Sequence, residues 1–133
     1  MRNLSPVTEI QGTLKGGAVL ATASETLAAN DLVNVYDNGG TLSVRKANAT
    51  DATKPSDGFV DAGYSAATVA RVFKRGTLVG SGLTSGAVYY LSTTGGAASV
   101  AAPAVTGNVV QQIGKAISAT ALMLEISDSI ELG

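Results

Sequence analysis

Asp31-Leu32-Val33-Asn34-Val35-Tyr36-Asp37-Asn38-Gly39-Gly40-Thr41-Leu42-Ser43-Val44-Arg45 is the stretch that decides the fold. Its apolar residues recur at every second position, the period of a strand with one face on a core. In the first limb Val33 and Val35 share one face, with Leu32, Asn34 and Tyr36 on the other. In the second limb Leu42 and Val44 are expected to point inward. Between the limbs Asn38-Gly39-Gly40 supplies the residues that accept positive φ in a tight hairpin turn. The segment predicts a β-hairpin.

The same alternation continues outward from it. Residues 46–57 carry no apolar periodicity and read as a polar surface loop. Gly58 to Ala62 returns to strand, and Thr68 to Arg75 alternates again. There Val69, Arg71 and Phe73 share one face, with Ala70, Val72 and Lys74 on the other. Thr77-Leu78-Val79 and Val88-Tyr89-Tyr90-Leu91 are β-prone, and Thr93-Thr94-Gly95-Gly96 predicts a second glycine turn. Asn108 to Ser118 and Ala121 to Ser127 read as two long final strands, the latter with Leu122, Leu124 and Ile126 inward. Ala21 to Ala29 is the single helical candidate, and its threonines and flanking glycines favour a strand and turn instead. The expectation is an all-β domain over residues 18–133, a small β-barrel or β-sandwich of about nine short strands.

Residues 1–17 precede the regular alternation and read as an N-terminal arm. Leu4, Val7, Ile10 and Leu14 are spaced to bury one face against a partner, and Pro6 with Gly16-Gly17 suits a hinge. A loose terminus is the other reading. Glu9 and Lys15 interrupt any apolar core of a signal peptide, so synthesis in the cytoplasm without export is expected. No run approaches the length of a membrane helix. The chain runs from its own Met1 to Gly133, just past the last strand, and is expected to be a standalone domain.

Composition narrows the chemistry. The 133 residues include no Cys, His or Trp, which rules out disulfides, Cys/His zinc sites, thiol nucleophiles and His-based triads. Nearly half the chain is Ala, Gly, Ser or Thr. Nine basic and ten acidic residues leave a net charge of −1, an argument against nucleic acid or an anionic membrane as partner. Asp51, Asp57 and Asp61 cluster in sequence, but no calcium-loop spacing accompanies them, and a solvated loop accounts for them. Gly80-Ser81-Gly82-Leu83-Thr84-Ser85-Gly86 lacks the Lys-Ser/Thr of a phosphate-binding loop and reads as a connection between strands. Arg71, Lys74 and Arg75 are the densest basic cluster, either a docking patch for an acidic surface or a polar strand face that blunts edge pairing. No cofactor, metal or small-molecule substrate is expected.

Gly82-Leu83-Thr84-Ser85-Gly86-Ala87-Val88-Tyr89-Tyr90-Leu91-Ser92, then a Thr-Gly-Gly turn, then Gly107 to Ser118, resembles small structural proteins of tailed bacteriophages. Ala28 to Asn34, Arg45 to Thr50 and Lys54 to Val60 fit the same pattern, so the resemblance spans most of residues 18–126. The family it resembles is the head decoration, or capsid cement, proteins; related β-modules occur in phage fibres. The resemblance implies a non-enzymatic protein on the outer surface of the capsid, bound to the major capsid protein. It also implies a homotrimer at three-fold positions that clamps neighbouring capsomers. Leu4, Val7, Ile10, Leu14, Arg71, Lys74 and Arg75 are the candidate capsid or subunit contacts. A fibre-tip module binding a host glycan is the alternative, and it would draw on Tyr36, Tyr64, Tyr89 and Tyr90.

Overall fold

The computed structural model describes residues 18–133, and within them every regular element is a strand. In chain order these are β1 (Ala18–Ala23), β2 (Leu32–Asn38), β3 (Thr41–Lys46), β4 (Gly58–Val60), β5 (Val69–Phe73) and β6 (Thr77–Val79). They are followed by β7 (Val88–Leu91), β8 (Ala98–Ser99), β9 (Val109–Val110), β10 (Gln112–Ala116), β11 (Ala121–Leu124) and β12 (Ile130–Glu131). The expected all-β class is what the chain adopts. The strands number twelve rather than nine, because Asn108–Ser118 breaks at Gln111 and two-residue strands form at Ala98 and Ile130.

The hairpin forms as the alternation requires. Asn38 pairs with Thr41, and the two positive-φ positions of the turn fall on Gly39 and Gly40. The Asp37 carboxylate accepts the Gly40 N–H at 2.8 Å, which closes the turn locally. Leu42 is a correction. It lies beside the turn, past the end of the core, and is 49% exposed, whereas Val44, two residues deeper, is fully buried.

The hairpin is part of a closed five-stranded barrel of order β1-β3-β2-β4-β5, sealed by β5 pairing back on β1. The β1–β3 contact is parallel and short, with Thr22 opposite Ser43 and Ala23 opposite Val44; the other pairings are antiparallel. So narrow a barrel has room only for small interior side chains. Ala21, Ala23, Val33, Val44, Val60, Ala70 and Val72 fill it, with Leu27. This is where much of the small-residue composition is spent.

A second, curled sheet of order β6-β11-β10-β7-β8 packs against the barrel, and β12 pairs with β9 beside it. Leu32, Phe59 and Phe73 leave the barrel wall on its outer side and enter this second core. There they join Leu78, Tyr89, Leu91, Ile113 and Leu122. The rings of Phe59 and Phe73, opposite each other in register, lie 5.7 Å apart. Leu32 and Val33 are therefore both fully buried though they point in opposite directions, one into each core.

Residues 46–57 overturn their reading as a surface loop. Ala47 and Ala49 are fully buried in the second core, and Ser56 is buried as well. The loop is sandwiched: Ala49 N–H donates to the Ser92 carbonyl, and the Ala49 carbonyl accepts from Val109 N–H. The final strand keeps its phase, with Leu122 buried and Met123 exposed, but stops at Leu124 rather than Ser127.

Candidate functional site

Arg71, Lys74 and Arg75 are neighbours in sequence and part company in the structure. Arg71 stands on the outer face of β5, where its guanidinium meets the Asp61 carboxylate at 2.7 Å. The Tyr64 hydroxyl donates to the other oxygen of Asp61, also at 2.7 Å. Partial burial pushes the Asp61 carboxyl up, but the Tyr64 hydroxyl and the Arg71 guanidinium outweigh it and hold the group below its ordinary range. Arg71 thus ties β5 to the residue that follows β4, its neighbour in the strand register. Lys74 and Arg75 lie beyond the strand end and line a cleft of about 600 Å³ between the barrel and the C-terminal segment. Among the described residues neither joins an ion pair. The remaining candidates, Leu4, Val7, Ile10 and Leu14, lie outside the described residues.

The cleft is also bordered by Asp57, Gln111, Glu125 and Asp128. Two of these polar groups, Asp57 and Gln111, are already committed to structure. The Asp57 carboxylate accepts Val35 N–H at 2.8 Å and the Asn34 amide at 3.2 Å. Asn34 in turn accepts from Arg45 at 2.9 Å and donates to the Pro55 carbonyl at 3.0 Å. This network pins the 51–57 loop to the hairpin, and the Arg45 guanidinium covers the Tyr36 ring at 3.9 Å. Asp51 forms its own turn with Thr53, and the Thr53 hydroxyl and N–H hold its carboxyl below the ordinary value. Asp51 and Asp57 therefore serve separate turns of the 46–57 loop, and Asp61 serves the segment that follows β4. Among the described residues no three acidic groups converge on a metal-sized space.

The four tyrosines do not assemble a groove. Tyr89 is buried with its hydroxyl accepting Thr84 N–H at 2.9 Å, Tyr64 bonds Asp61, and Tyr36 lies under Arg45. Tyr90 stands on the outer face of β7, opposite Gln112 and Ser99.

A different feature stands out once the sheets are placed. From Gly76 to Gly114 the chain has no charged residue, and Lys115 is the one charge before Glu125. The stretch from Gly76 to Leu124, with Lys115 as its one charge, builds the second sheet in full, whereas residues 18–75 hold all the charges of the barrel. The outer face of this sheet consists of paired rows. Val79 stands opposite Ala121, whose carbonyl accepts Ile117 N–H; Met123 stands between Thr77 and Lys115, with Val88 beyond. Val79 is 63% exposed, Ile117 53% and Met123 40%. The charge gap was visible in the sequence, but only the pairing shows that it forms one continuous face.

The fold and its surfaces define an all-β barrel-and-sheet domain. No protein-family model matches the chain, and no curated protein matches it.

Proposed function

We propose that this protein is a structural component of a tailed-bacteriophage virion, a decoration protein that binds the outer surface of the head. It has no catalytic role in this reading. It is made in the host cytoplasm, joins the major capsid protein and acts as a homotrimer that ties neighbouring capsomers together. Many copies, each contributing modest contacts, give the lattice its hold.

The observation that supports it is how the phrase Gly82–Ser92, which carries the resemblance, is used. Gly82 and Gly86 occupy left-handed backbone, Leu83 and Leu91 pack into the second core, and Tyr89 ties its hydroxyl to Thr84. Its principal side chains are spent on folding, as suits a module whose work is done by its surfaces. The dispersal of the tyrosines gives the glycan-binding alternative no specific support.

Negative-stain imaging of virions carrying a labelled copy tests the proposal. Label distributed over the head is expected. Label confined to tail tips or fibres would replace the decoration reading with the adhesin one.

A further inference from the structure

We infer that Asn38, at the tip of the β2–β3 hairpin, is a self-modification site: the backbone nitrogen of Gly39 converts its side-chain amide to a carboxylate without an enzyme. The reaction needs an exposed asparagine amide. It also needs, on the next residue, an N–H that nothing else holds and no side chain shields. Five asparagines stand among the described residues, and the N–H that follows four of them is taken. Asp31 N–H, after Asn30, donates to the Ala28 carbonyl at 3.1 Å. Val35 N–H, after Asn34, donates to the Asp57 carboxylate at 2.8 Å. Ala49 N–H, after Asn48, donates to the Ser92 carbonyl at 3.0 Å, and Val109 N–H, after Asn108, to the Ala49 carbonyl at 2.7 Å. Among the described residues Gly39 N–H donates no hydrogen bond, and the Asn38 side chain enters none.

The turn supplies the rest. Gly39 and Gly40, at φ +62° and +96°, form the two-residue loop of a type I′ hairpin. Residues 37–42 are all exposed, so opening the tip uncovers no core. Gly39 has no Cβ to obstruct its nitrogen on the way to Asn38 Cγ, whereas Val35 and Val109 are β-branched.

The Gly39 nitrogen gives up its proton, and its electron pair forms a bond to Asn38 Cγ. The Cγ–Nδ2 bond breaks, and the amide nitrogen takes up a proton and leaves as ammonia. Water then opens the cyclic imide. Cleavage at Cγ yields aspartate; cleavage at the backbone carbonyl yields isoaspartate, in which the main chain runs through Cβ and Cγ. Either product sets a second carboxylate beside Asp37 and makes the net charge more negative. Isoaspartate also lengthens the main chain, at odds with the register that places Asn38 opposite Thr41.

Peptide mapping of the full-length protein aged in mildly alkaline buffer tests the inference, with isoaspartate read by methyltransferase labelling. Asn38 is expected to convert at least about tenfold faster than Asn30, Asn34, Asn48 or Asn108, each of which must first release a hydrogen bond. The rate is expected to rise with pH, because the attacking nitrogen acts deprotonated. Asn38→Gln, whose longer side chain must close a larger ring, is expected to suppress the acidic shift and keep the far-ultraviolet spectrum. Conversion of any of the other four ahead of Asn38 overturns the inference, as does an acidic shift undiminished in Asn38→Gln. So does an Asn38 that stays intact in the folded protein over the time it takes to convert in guanidinium, because the hairpin then protects the amide.

Discussion

The side-chain amide of Gln111 hydrogen-bonds both backbone groups of Ser56, much as a residue of a neighbouring strand would. Its Oε1 accepts Ser56 N–H at 2.7 Å, and its Nε2 donates to the Ser56 carbonyl at 3.0 Å. The same Nε2 donates to the Ser127 carbonyl at 2.9 Å. One buried amide thereby joins the 46–57 loop, the break between β9 and β10, and the C-terminal segment. These are the parts of the chain with the least regular pairing.

Gln111→Ala is expected to strand two buried groups of Ser56 without replacing them. An unfolding free energy lowered by about 3 kcal/mol is the expected result, read by denaturant titration. A loss under about 0.5 kcal/mol would mean that water replaces the amide freely.

Two glycines permit close backbone approach rather than unusual φ. A Cβ at Gly58 would strike the Phe73 carbonyl oxygen, and one at Gly114 the Met123 carbonyl oxygen. Gly58→Ala and Gly114→Ala are each expected to destabilise by about 2 kcal/mol or more, because backbone, not a flexible side chain, must yield. Gly39, at φ +62° with open space around it, behaves differently. Gly39→Asn is expected to stay within about 0.5 kcal/mol of the parent. Thermal melts of the three variants check the ranking.

Acid should loosen the tie between β4 and β5 at Asp61. Its carboxyl is held below the ordinary value of 3.8 in the folded state, so the unfolded chain takes up a proton first as pH falls. The contribution is present in full above the ordinary value and is lost as pH drops through the lower folded value. Asp61→Asn is expected to flatten the stability profile below about pH 4, with a lower plateau at neutral pH. An unchanged slope in the acid limb would show that other carboxylates govern it.

Truncation before Gly17 tests the arm reading of residues 1–17. The barrel closes between β1 and β5 with residues from Ala18 onward, so nearly the same melting temperature is expected. Weaker binding to heads is expected alongside it, because the lost contact recurs at every copy. Failure of the truncated chain to fold would assign Leu4, Val7, Ile10 and Leu14 to the core instead.

The alternation of β-branched and aromatic residues with polar ones was enough, without any structure, to determine that this chain is all-β. It placed β2, β3, β5 and β7, and it selected the glycine turn at Gly39–Gly40. These are consequences of side-chain period and backbone sterics, which act over a few residues. Which face of each strand is buried, and how deeply, belonged to the tertiary structure. Ala47 and Ala49 carry no local signal because alanine is at home in a loop or a core; they are buried because a second sheet closes over them. Leu42 has the phase of a core residue and is exposed because the core ends before the hairpin does. Arg71 and Lys74 are three positions apart, yet the first is captured by Asp61 from the neighbouring strand while the second borders a cleft formed by the far end of the chain. The interval from Gly76 to Leu124, with Lys115 as its one charge, was written in the sequence throughout. It became a surface only when antiparallel pairing set Val79, Ala121 and Ile117 side by side, since contacts between distant segments are decided by the register of strands and not by any one strand's composition.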